Sequence, residues 1–459
     1  MRKQWLFRVY YILFAVPISL AFISWIFFPS FAEFIVLNLF RYEFESKQPG
    51  FLWAFVVNTL YTWYTFVFIG LSGILIVAAW ICIKKYEKTI QQDRHYPSVS
   101  FIIPAYNEEN TIQQCITSVF ESASNYFGIA EIIVVDDGST DYTYEIAWAA
   151  IEVNRRKYPN VRGKIVRHSA NLGKIEAIKT GVNKALGELI AIVDADSTWT
   201  QKTLQTLIDY MNSGAKTAIT GYVHPKDGEN PYVTLQQLEY SQGLGIFRCA
   251  QSLSKSVLVI SGAIGLYHAE TLREILNQRK IRSITEDLEI TLELHKRGLN
   301  VGYTHAAQSS TYVPTSFNSL WKQRLRWFTG WIHNTLGIHR DMLFNRKVSV
   351  SLLLLYSLMF EYGGALIDLV AFCVFPFIFW FAPDRILFLL NLLLFALYVF
   401  GVGFIIQALA FRFSYKQYSK KYLLMYLPFY PLLRFVNVCA RVVSLVKYFL
   451  GDKGSWHSR

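Results

Sequence analysis

The chain has 459 residues, of which 53% are hydrophobic and 16% aromatic, while only 17% are charged. An average soluble domain carries roughly 25% charged residues, so a wholly water-solvated protein is excluded and a lipid bilayer is implied as part of its solvent. The net charge of +12 is accounted for by basic flanks of apolar segments, which anionic lipid attracts; no nucleic-acid motif accompanies it, and no nucleic-acid partner is expected.

In chain order, residues 9–28 and 53–83 carry no Asp, Glu, Lys or Arg, and each reaches the ~20 residues that cross a bilayer core. The Arg2-Lys3 flank and apolar run of the first fit a signal peptide, but no small-x-small cleavage site follows, so it reads as an uncleaved span. Arg2, Lys3 and Arg8 precede span one, and Lys84, Lys85 and Lys88 follow span two. By the positive-inside rule these ends face the cytoplasm, and so does the polar middle of a multi-pass plasma-membrane protein. The five cysteines (Cys82, Cys115, Cys249, Cys373, Cys439) show no paired spacing; they predict core thiols rather than disulfides or a zinc site.

After this N-terminal membrane region (1–96), residues 97–315 change character. Short β-rich runs, Val99–Ile103, Glu131–Val135, Lys164–Arg167, Leu189–Val193 and Thr217–Thr220, alternate with helical stretches. This is the rhythm of βαβ units, and it predicts an α/β domain with a mixed, mostly parallel sheet. Polar or small residues end the runs, where open α/β sheets bind ligands: Pro104-Ala105-Tyr106-Asn107-Glu108-Glu109, Asp136-Asp137-Gly138-Ser139 and Asp194-Ala195-Asp196. No Gly-x-Gly-x-x-Gly follows the first strand, which excludes the dehydrogenase reading. Asp194 and Asp196 are two carboxylates on a strand end, the hard oxygen ligands that Mg²⁺ or Mn²⁺ prefers while keeping sites for phosphate oxygens. Each motif also has a plainer reading: a solvated turn for Asp194-x-Asp196, a strand-to-helix turn with an N-cap for Asp136-Asp137, a loop with a solvated lysine for Asn171-Leu172-Gly173-Lys174, and a cap by Ser283 or Thr285 for the helix at Glu286-Asp287.

Residues 316–347 carry Gln323-Arg324-Leu325-Arg326-Trp327 on a predicted amphipathic helix. Phe317, Trp321, Leu325, Phe328 and Ile332 recur at three- and four-residue steps as one apolar stripe. Gln323 and Arg326 share a different face, with Trp327 at its border. The C-terminal membrane region (348–459) then holds spans over 348–381 and 386–411, joined by Ala382-Pro383-Asp384-Arg385. Its last apolar segment, 422–450, contains Arg434, Arg441 and Lys447 and has Pro428 and Pro431 near its start; it is expected to be re-entrant or interfacial rather than spanning.

Taken in order, Ile103-Pro104-Ala105-Tyr106-Asn107-Glu108, Asp136-Asp137-Gly138-Ser139, Asn171-x-Gly173-Lys174, Asp194-x-Asp196, Ser261-Gly262-Ala263, Thr285-Glu286-Asp287 and Gln323-x-x-Arg326-Trp327 resemble the processive family 2 glycosyltransferases, the membrane synthases of cellulose, chitin, hyaluronan and poly-N-acetylglucosamine. The resemblance covers roughly residues 53–410. It implies a cytoplasmic GT-A domain between N- and C-terminal transmembrane helices, with amphipathic interface helices. It implies Ala105, Tyr106, Glu108, Asp136, Asp137, Lys174, Asp194, Gln323 and Arg326 for the UDP-sugar donor, and Asp196 with Asp194 for Mg²⁺ or Mn²⁺. Asp287, beside Glu286, is implied as the base, and Ser261, Gly262 and Trp327 for the growing polysaccharide.

Retention would need a second, nucleophilic carboxylate at the anomeric carbon, and none is singled out, so inversion and a β-linkage are expected. Thr285-Glu286-Asp287 and the flank of the box look closest to the poly-N-acetylglucosamine and cellulose synthases, which makes UDP-GlcNAc the expected donor; Phe328-Thr329-Gly330-Trp331 departs from the small-residue run usual there. A small accessory membrane subunit is compatible with this reading. A non-processive polyprenyl-phosphate glycosyltransferase is the rival, but it would not need the Gln-x-x-Arg-Trp platform. A transporter with an inert cytoplasmic domain would be expected to have lost Asp196, Asp287 or Arg326, and all three are present.

Overall fold

A computed structural model describes residues 71–89, 95–214, 216–226, 230–278, 281–344, 347–366, 368–369 and 425–451, with Ile386, Gln407 and Ala410. The expected span at 9–28, most of that at 53–83 and nearly all of 386–411 lie outside these residues. The chain divides into two compact units, and the larger one, Val77–Ala365 with Gln407–Arg459, carries every motif named above.

The helices are α1 (Leu71–Thr89), α2 (Ile112–Ser124), α3 (Thr143–Lys157), α4 (Lys174–Lys184), α5 (Thr203–Asn212), α6 (Pro231–Gln242), α7 (Cys249–Leu253), α8 (Ala269–Gln278), α9 (Glu286–Lys296), α10 (Phe317–Ile332), α11 (Val348–Tyr356) and α12 (Tyr430–Phe449). The strands are β1 (Val99–Ala105), β2 (Ala130–Asp136), β3 (Val161–Arg167), β4 (Leu189–Ile192), β5 (Ser197–Trp199), β6 (Ala218–Pro225), β7 (Gly265–His268) and β8 (Val301–Thr311). They form one sheet in the order β3-β2-β1-β4-β7-β6-β8-β5.

β1 is buried along its whole length, as a strand must be when helices cover both faces of a parallel sheet. It pairs in parallel with β2 on one side and β4 on the other, Ala105 lying opposite Asp136 at the carboxyl end. Antiparallel β7 then joins β4 to β6, while β6 and β8 run parallel. The sheet is therefore mixed and mostly parallel. Every predicted β run lies within or overlaps a strand. β5, β7 and β8 were not anticipated: two span only three or four residues, and β8 is Val-Gly-Tyr-Thr-His-Ala-Ala-Gln-Ser-Ser-Thr, with no alternating apolar pattern for the period-2 test to detect. The main core lies between the sheet and α2, α3 and α5, around Phe101, Ile116, Phe120, Ile132, Leu207 and Leu266.

α10 begins at a capping box: the Ser316 side chain accepts from the Ser319 amide, and the Ser319 hydroxyl answers toward the Ser316 backbone, which satisfies two otherwise orphaned donors. Val348–Leu366 and Leu427–Phe449 are both long and apolar enough to cross a membrane. Pro431 stands in the first turn of α12, where its missing N–H costs nothing, so α12 runs unbroken despite the two prolines. Among the described cysteines none is disulfide-bonded, and Cys82, Cys115 and Cys249 are buried, as core thiols are.

Candidate active site

The motifs gather at the carboxyl edge of β1, β2 and β4, and Lys174 ties three of them together. Gly173, at φ +95°, takes the chain into α4 through backbone that L-residues rarely adopt, and Lys174 follows at the first helical position. Its Nζ lies 2.7 Å from Asp194 Oδ1 and 2.6 Å from Glu286 Oε1. Burial opposes the ammonium charge, but Asp194 and Glu286 outweigh it and hold Lys174 well above the usual lysine range. The plainer reading of a solvated lysine is thereby excluded.

Asp194 sits just past β4. Its amide donates to the Gly262 carbonyl at 3.0 Å, and its carboxylate lies against the Gly262 Cα so closely that a Cβ there would stand 2.8 Å from Oδ2. Gly262 thus makes room for the carboxylate, and the neighbouring Ser261 is partly exposed. Asp196 is 6% exposed; its Oδ1 accepts from Ser197 Oγ and Thr311 Oγ1, both at 3.1 Å. Lys226, after β6, lies over the Tyr312 ring at 3.9 Å; burial holds its ammonium below the usual lysine range, and the Asp196 charge opposes that shift. Beneath both carboxylates the Cys115 thiol is pushed up, first by burial and then by Asp196 and Asp194, which makes it an inert core thiol rather than a nucleophile. Among the described residues no group of three or more acidic, His or Cys side chains could hold a metal by itself. Two hard carboxylates, one of them seated in a glycine cradle, nevertheless fit Mg²⁺ or Mn²⁺, which commonly takes one or two carboxylates and completes its shell with phosphate and water.

Glu286 and Asp287 open α9. Thr285 stands at the N-cap position but makes no side-chain cap bond, and Ser283 Oγ bonds Thr285 instead, so the capping explanation for this motif fails. Glu286 is buried against Lys174. Asp287 is partly buried, and its carboxyl is pushed up to about 6, first by burial and next by the Glu286 charge, against Lys174, the Leu288 amide and Arg326. A carboxylate that titrates near neutrality is suited to take a proton.

Asp136 and Asp137 shape a groove at the ends of β2 and β3 lined by Gly138, Ser139, Thr140, Arg167, His168 and Ser169. Asp136 pairs with Arg167 Nε at 3.0 Å. Asp137 Oδ1 accepts from the Leu172 amide at 3.0 Å and lies 2.7 Å from His168 Nδ1, while Oδ2 accepts from the Gly173 amide at 2.8 Å. Neither carboxylate caps α3, whose N-cap is Tyr142. Asp137 instead fastens the loop that delivers Lys174. Ala105 ends β1 and is buried, and Tyr106 beyond it is partly exposed. The Glu108 carboxylate accepts from Thr111 Oγ1 at 2.7 Å, and its amide donates to Thr143 Oγ1. This side chain is engaged at the entry to α2.

On α10, Gln323, Arg326 and Trp327 are partly buried. Gln323 Oε1 is buried without a hydrogen-bond partner, and the Arg326 charge reaches Asp287. α10 meets the Thr285-Glu286-Asp287 segment at Gly330, where a Cβ would stand 2.5 Å from Thr285 Cγ2. Asn334 fastens the junction: its Nδ2 donates to Ser283 Oγ at 2.7 Å, Thr285 Oγ1 at 3.1 Å and the Gly330 carbonyl at 3.0 Å. Of the expected stripe, Ile332 is buried while Phe317 is 49% exposed and stacks on Trp321. Sequence reasoning passed over Asn334, which stands in no motif, and Arg324, the fully buried arginine of the box.

Two family models match the chain: "Glycosyl transferase family 2" over residues 100–276 and "Glycosyl transferase family group 2" over 189–415. The poly-beta-1,6-N-acetyl-D-glucosamine synthase of Staphylococcus epidermidis is 28% identical over 367 residues, covering 78% of this chain and 85% of that protein. The synthase of the same name from Staphylococcus aureus is 28% identical over 264 residues, covering 57% of this chain and 60% of that one. Among solved structures, the mannosyltransferase PcManGT from Pyrobaculum calidifontis, in complex with GDP-Man and Mn²⁺, aligns with a TM-score of 0.55 at 17% identity. The alignment covers 83% of this chain and 99% of that one. This likeness shows a GT-A-like fold.

Proposed function

Because the chain belongs to glycosyltransferase family 2, we propose that it is a membrane polysaccharide synthase that transfers N-acetylglucosamine from UDP-GlcNAc, with inversion, to the end of a growing β-linked polymer. The observation that carries this reading is the convergence on one lysine of Asp194 and Glu286, with a carboxyl titrating near 6 at the next position, Asp287. An inverting transfer needs a base for the acceptor hydroxyl and positive charge for the leaving diphosphate. Asp287 takes the proton from the hydroxyl that attacks the anomeric carbon. Glu286 holds Lys174 in place and keeps Asp287 basic enough to accept that proton. Lys174 and Arg326 supply fixed positive charge, Gln323 offers its unpartnered carbonyl, Trp327 gives the acceptor ring a stacking face, and Ser261 and Gly262 line the acceptor pocket. Tyr106, with Asp136 or Asp137 below it, borders the uridine pocket.

Asp194 and Asp196 would hold Mg²⁺ or Mn²⁺. When bound, the ion would neutralise the developing charge of the leaving diphosphate.

The identity of the sugar rests on the named staphylococcal relatives and on the likeness of the Thr285-Glu286-Asp287 motif and the box flank. The domain layout proposed is a membrane region over 1–96, the catalytic domain over 97–315 facing the cytoplasm, an interface helix within 316–347 and a membrane region over 348–459. Processive synthesis and export of the polymer through the plasma membrane complete the proposal. They are supported by the helices at Val348–Leu366 and Leu427–Phe449, since a hydrophilic polymer crosses hydrocarbon only by a path that satisfies its hydroxyls. The test is purified protein in sealed vesicles, catalytic domain outward, given labelled UDP-GlcNAc or UDP-glucose with Mn²⁺ or Mg²⁺. Polymer formed from UDP-GlcNAc and protected from added glycosidase until detergent is supplied supports the whole reading. Incorporation from UDP-glucose alone overturns the sugar, polymer digested without detergent overturns export by the isolated chain, and full turnover in EDTA overturns the metal.

A further inference from the structure

The box helix α10 carries two arginines, and they do different work. At about 100° per residue, positions 324 and 326 point to opposite sides of a helix, with 327 nearer to 324 than to the far side. The Arg326 charge is felt at the Asp287 carboxyl, which it favours in the ionised form. Arg324 is 1% exposed and turns away, into a polar layer between α10, α6 and α12. Its Nη2 lies 2.5 Å from Glu239 Oε2, and its guanidinium lies over the Trp327 ring at 4.4 Å. Glu239 is held from the other side by α12: Asn437 Nδ2 donates to Glu239 Oε1 at 2.7 Å. Guanidinium, carboxylate and amide thus form a chain from the C-terminal helix to the indole of the box.

The same two helices are fastened again further along. Thr329 Oγ1 donates to Ser444 Oγ at 3.1 Å, and Arg441 lies over the Phe328 ring at 4.4 Å while facing Glu361 Oε2 at 3.4 Å. A buried ion pair is weak evidence for stability in itself, because the loss of hydration offsets much of the attraction; its best-attested use is to fix register. Here the register fixed is that of Trp327. We propose that Arg324 is the positioning residue of the box, that it sets the Trp327 indole for the acceptor ring, and that α12 holds it there through Asn437 and Glu239. Lysine would not replace Arg324, since an ammonium lacks the planar face that lies along the indole and the fork that meets the carboxylate.

The assignment of the acceptor ring to Trp327 rests on the proposed function, so the test reads the indole directly as well as turnover. Full-length protein labelled with 5-fluorotryptophan is placed in nanodiscs, and the Trp327 fluorine line is identified by its loss in Trp327→Phe. The paired variant Arg324→Met/Glu239→Gln leaves no buried charge alone, and Asn437→Ala cuts the chain at its far end. Both are expected to shift or broaden the Trp327 line, and Arg324→Lys is expected to do the same. Ser444→Ala, on the same helix but outside the chain, leaves it in place. With UDP-GlcNAc and a short N-acetylglucosamine oligosaccharide, the relay variants raise the acceptor KM by roughly ten- to a hundred-fold, the scale of a small misplacement, and leave the donor KM unchanged. An unmoved Trp327 line in Asn437→Ala overturns the proposal, as do equal changes in the two KM values. If the wild type turns over no UDP-GlcNAc, the proposed function fails while the fluorine line still decides the role of Arg324.

Discussion

The loops that end β2 and β3 and the helix that carries the box both present polar side chains to the cleft, but they are held in different ways. On the proposed donor side the fastenings come from three neighbouring loops, those after β1, β2 and β3. Asp137 takes amides of Leu172 and Gly173, Asp136 takes Arg167, and Asn107 and Ser139 bond each other's loops. On the box side the fastenings come from helices far away in sequence: Glu239 on α6, the Ser283–Thr285 turn before α9, and Asn437 and Ser444 on α12. The first arrangement is preorganised by the half-sheet β1–β4. The second depends on how four helices pack. Substitutions on the donor side should therefore change donor affinity, whereas substitutions where the two sides meet or on the box side should change the chemical step or acceptor positioning.

The largest effect belongs to Asp287, where the two sides meet. Asp287→Asn should lower kcat by about 10³-fold with UDP binding nearly intact, measured by polymer yield and calorimetric titration of UDP. In the wild type, activity should fall as pH drops through about 6, because protonation removes the base. The stability effect has the opposite sign. A carboxyl whose folded pKa is raised binds more protons folded than unfolded, so its ionisation penalises the fold above pH 6 and not below about 4. Asp287→Asn should thus raise the thermal midpoint at pH 7.5 and leave it unchanged at pH 4. An active Asn variant removes Asp287 from the chemistry.

Lys174→Met comes next. It leaves Asp194 and the buried Glu286 without their shared cation, and breaking a buried pair costs about 3–5 kcal/mol. Turnover should drop by about 10²-fold through the lost fixed charge, and the unfolding midpoint should fall. Loss of stability with full turnover would confine Lys174 to a structural role.

A smaller effect is expected at Gly330, where α10 touches Thr285. Gly330→Ala places a methyl against Thr285, and the helix must shift outward. A loss of about ten-fold in kcat is expected, partly restored by Thr285→Ala, which removes both Oγ1 and Cγ2, the two atoms the methyl meets first. Contacting residues couple in this way and distant ones do not. No recovery in the double variant would place the cause elsewhere.

How much of this was legible beforehand follows the same division. The motif-bearing strands β1, β2 and β4 announce themselves, because a strand buried on both faces reads as a run such as Val-Ser-Phe-Ile-Ile and its ligand residues follow at once in the chain. Asp136 accordingly ends β2, and Asp194 follows β4 by two residues. The part hidden from the sequence is which carboxylate meets which cation. Glu239 lies in an ordinary helical stretch, 85 residues before Arg324 and 198 before Asn437, and nothing local marks it. Arg324 was in view but looked like a variable letter of the box. Periodicity gave a helix and its apolar stripe, but could not say that one arginine faces the cleft and the other faces α6 and α12, since that depends on the partner helices.

The smallest expected effect sharpens the contrast from the donor side. Asp137 accepts the Leu172 and Gly173 amides on separate oxygens, and Gly138 beside it turns at φ +71°, with Ala170 so close that a Cβ would stand 2.5 Å from its carbonyl carbon. The loop is thus fixed by backbone fit as well as by the carboxylate. Asp137→Asn keeps one acceptor oxygen but points an N–H₂ at a backbone N–H, which costs about 1–3 kcal/mol for the bond lost and the donor left unmet. Because Gly173 leads directly into Lys174, the loosened loop should weaken donor binding several-fold. At saturating donor, however, Lys174 is still drawn to Asp194 and Glu286, whose positions do not depend on Asp137. The donor KM should therefore rise while kcat stays near the wild-type value, the reverse of the pattern expected for Gly330→Ala. A fall in kcat at saturating UDP-GlcNAc would mean that the donor loops and the catalytic carboxylates form one unit, and that the two sides of the cleft are not independently built.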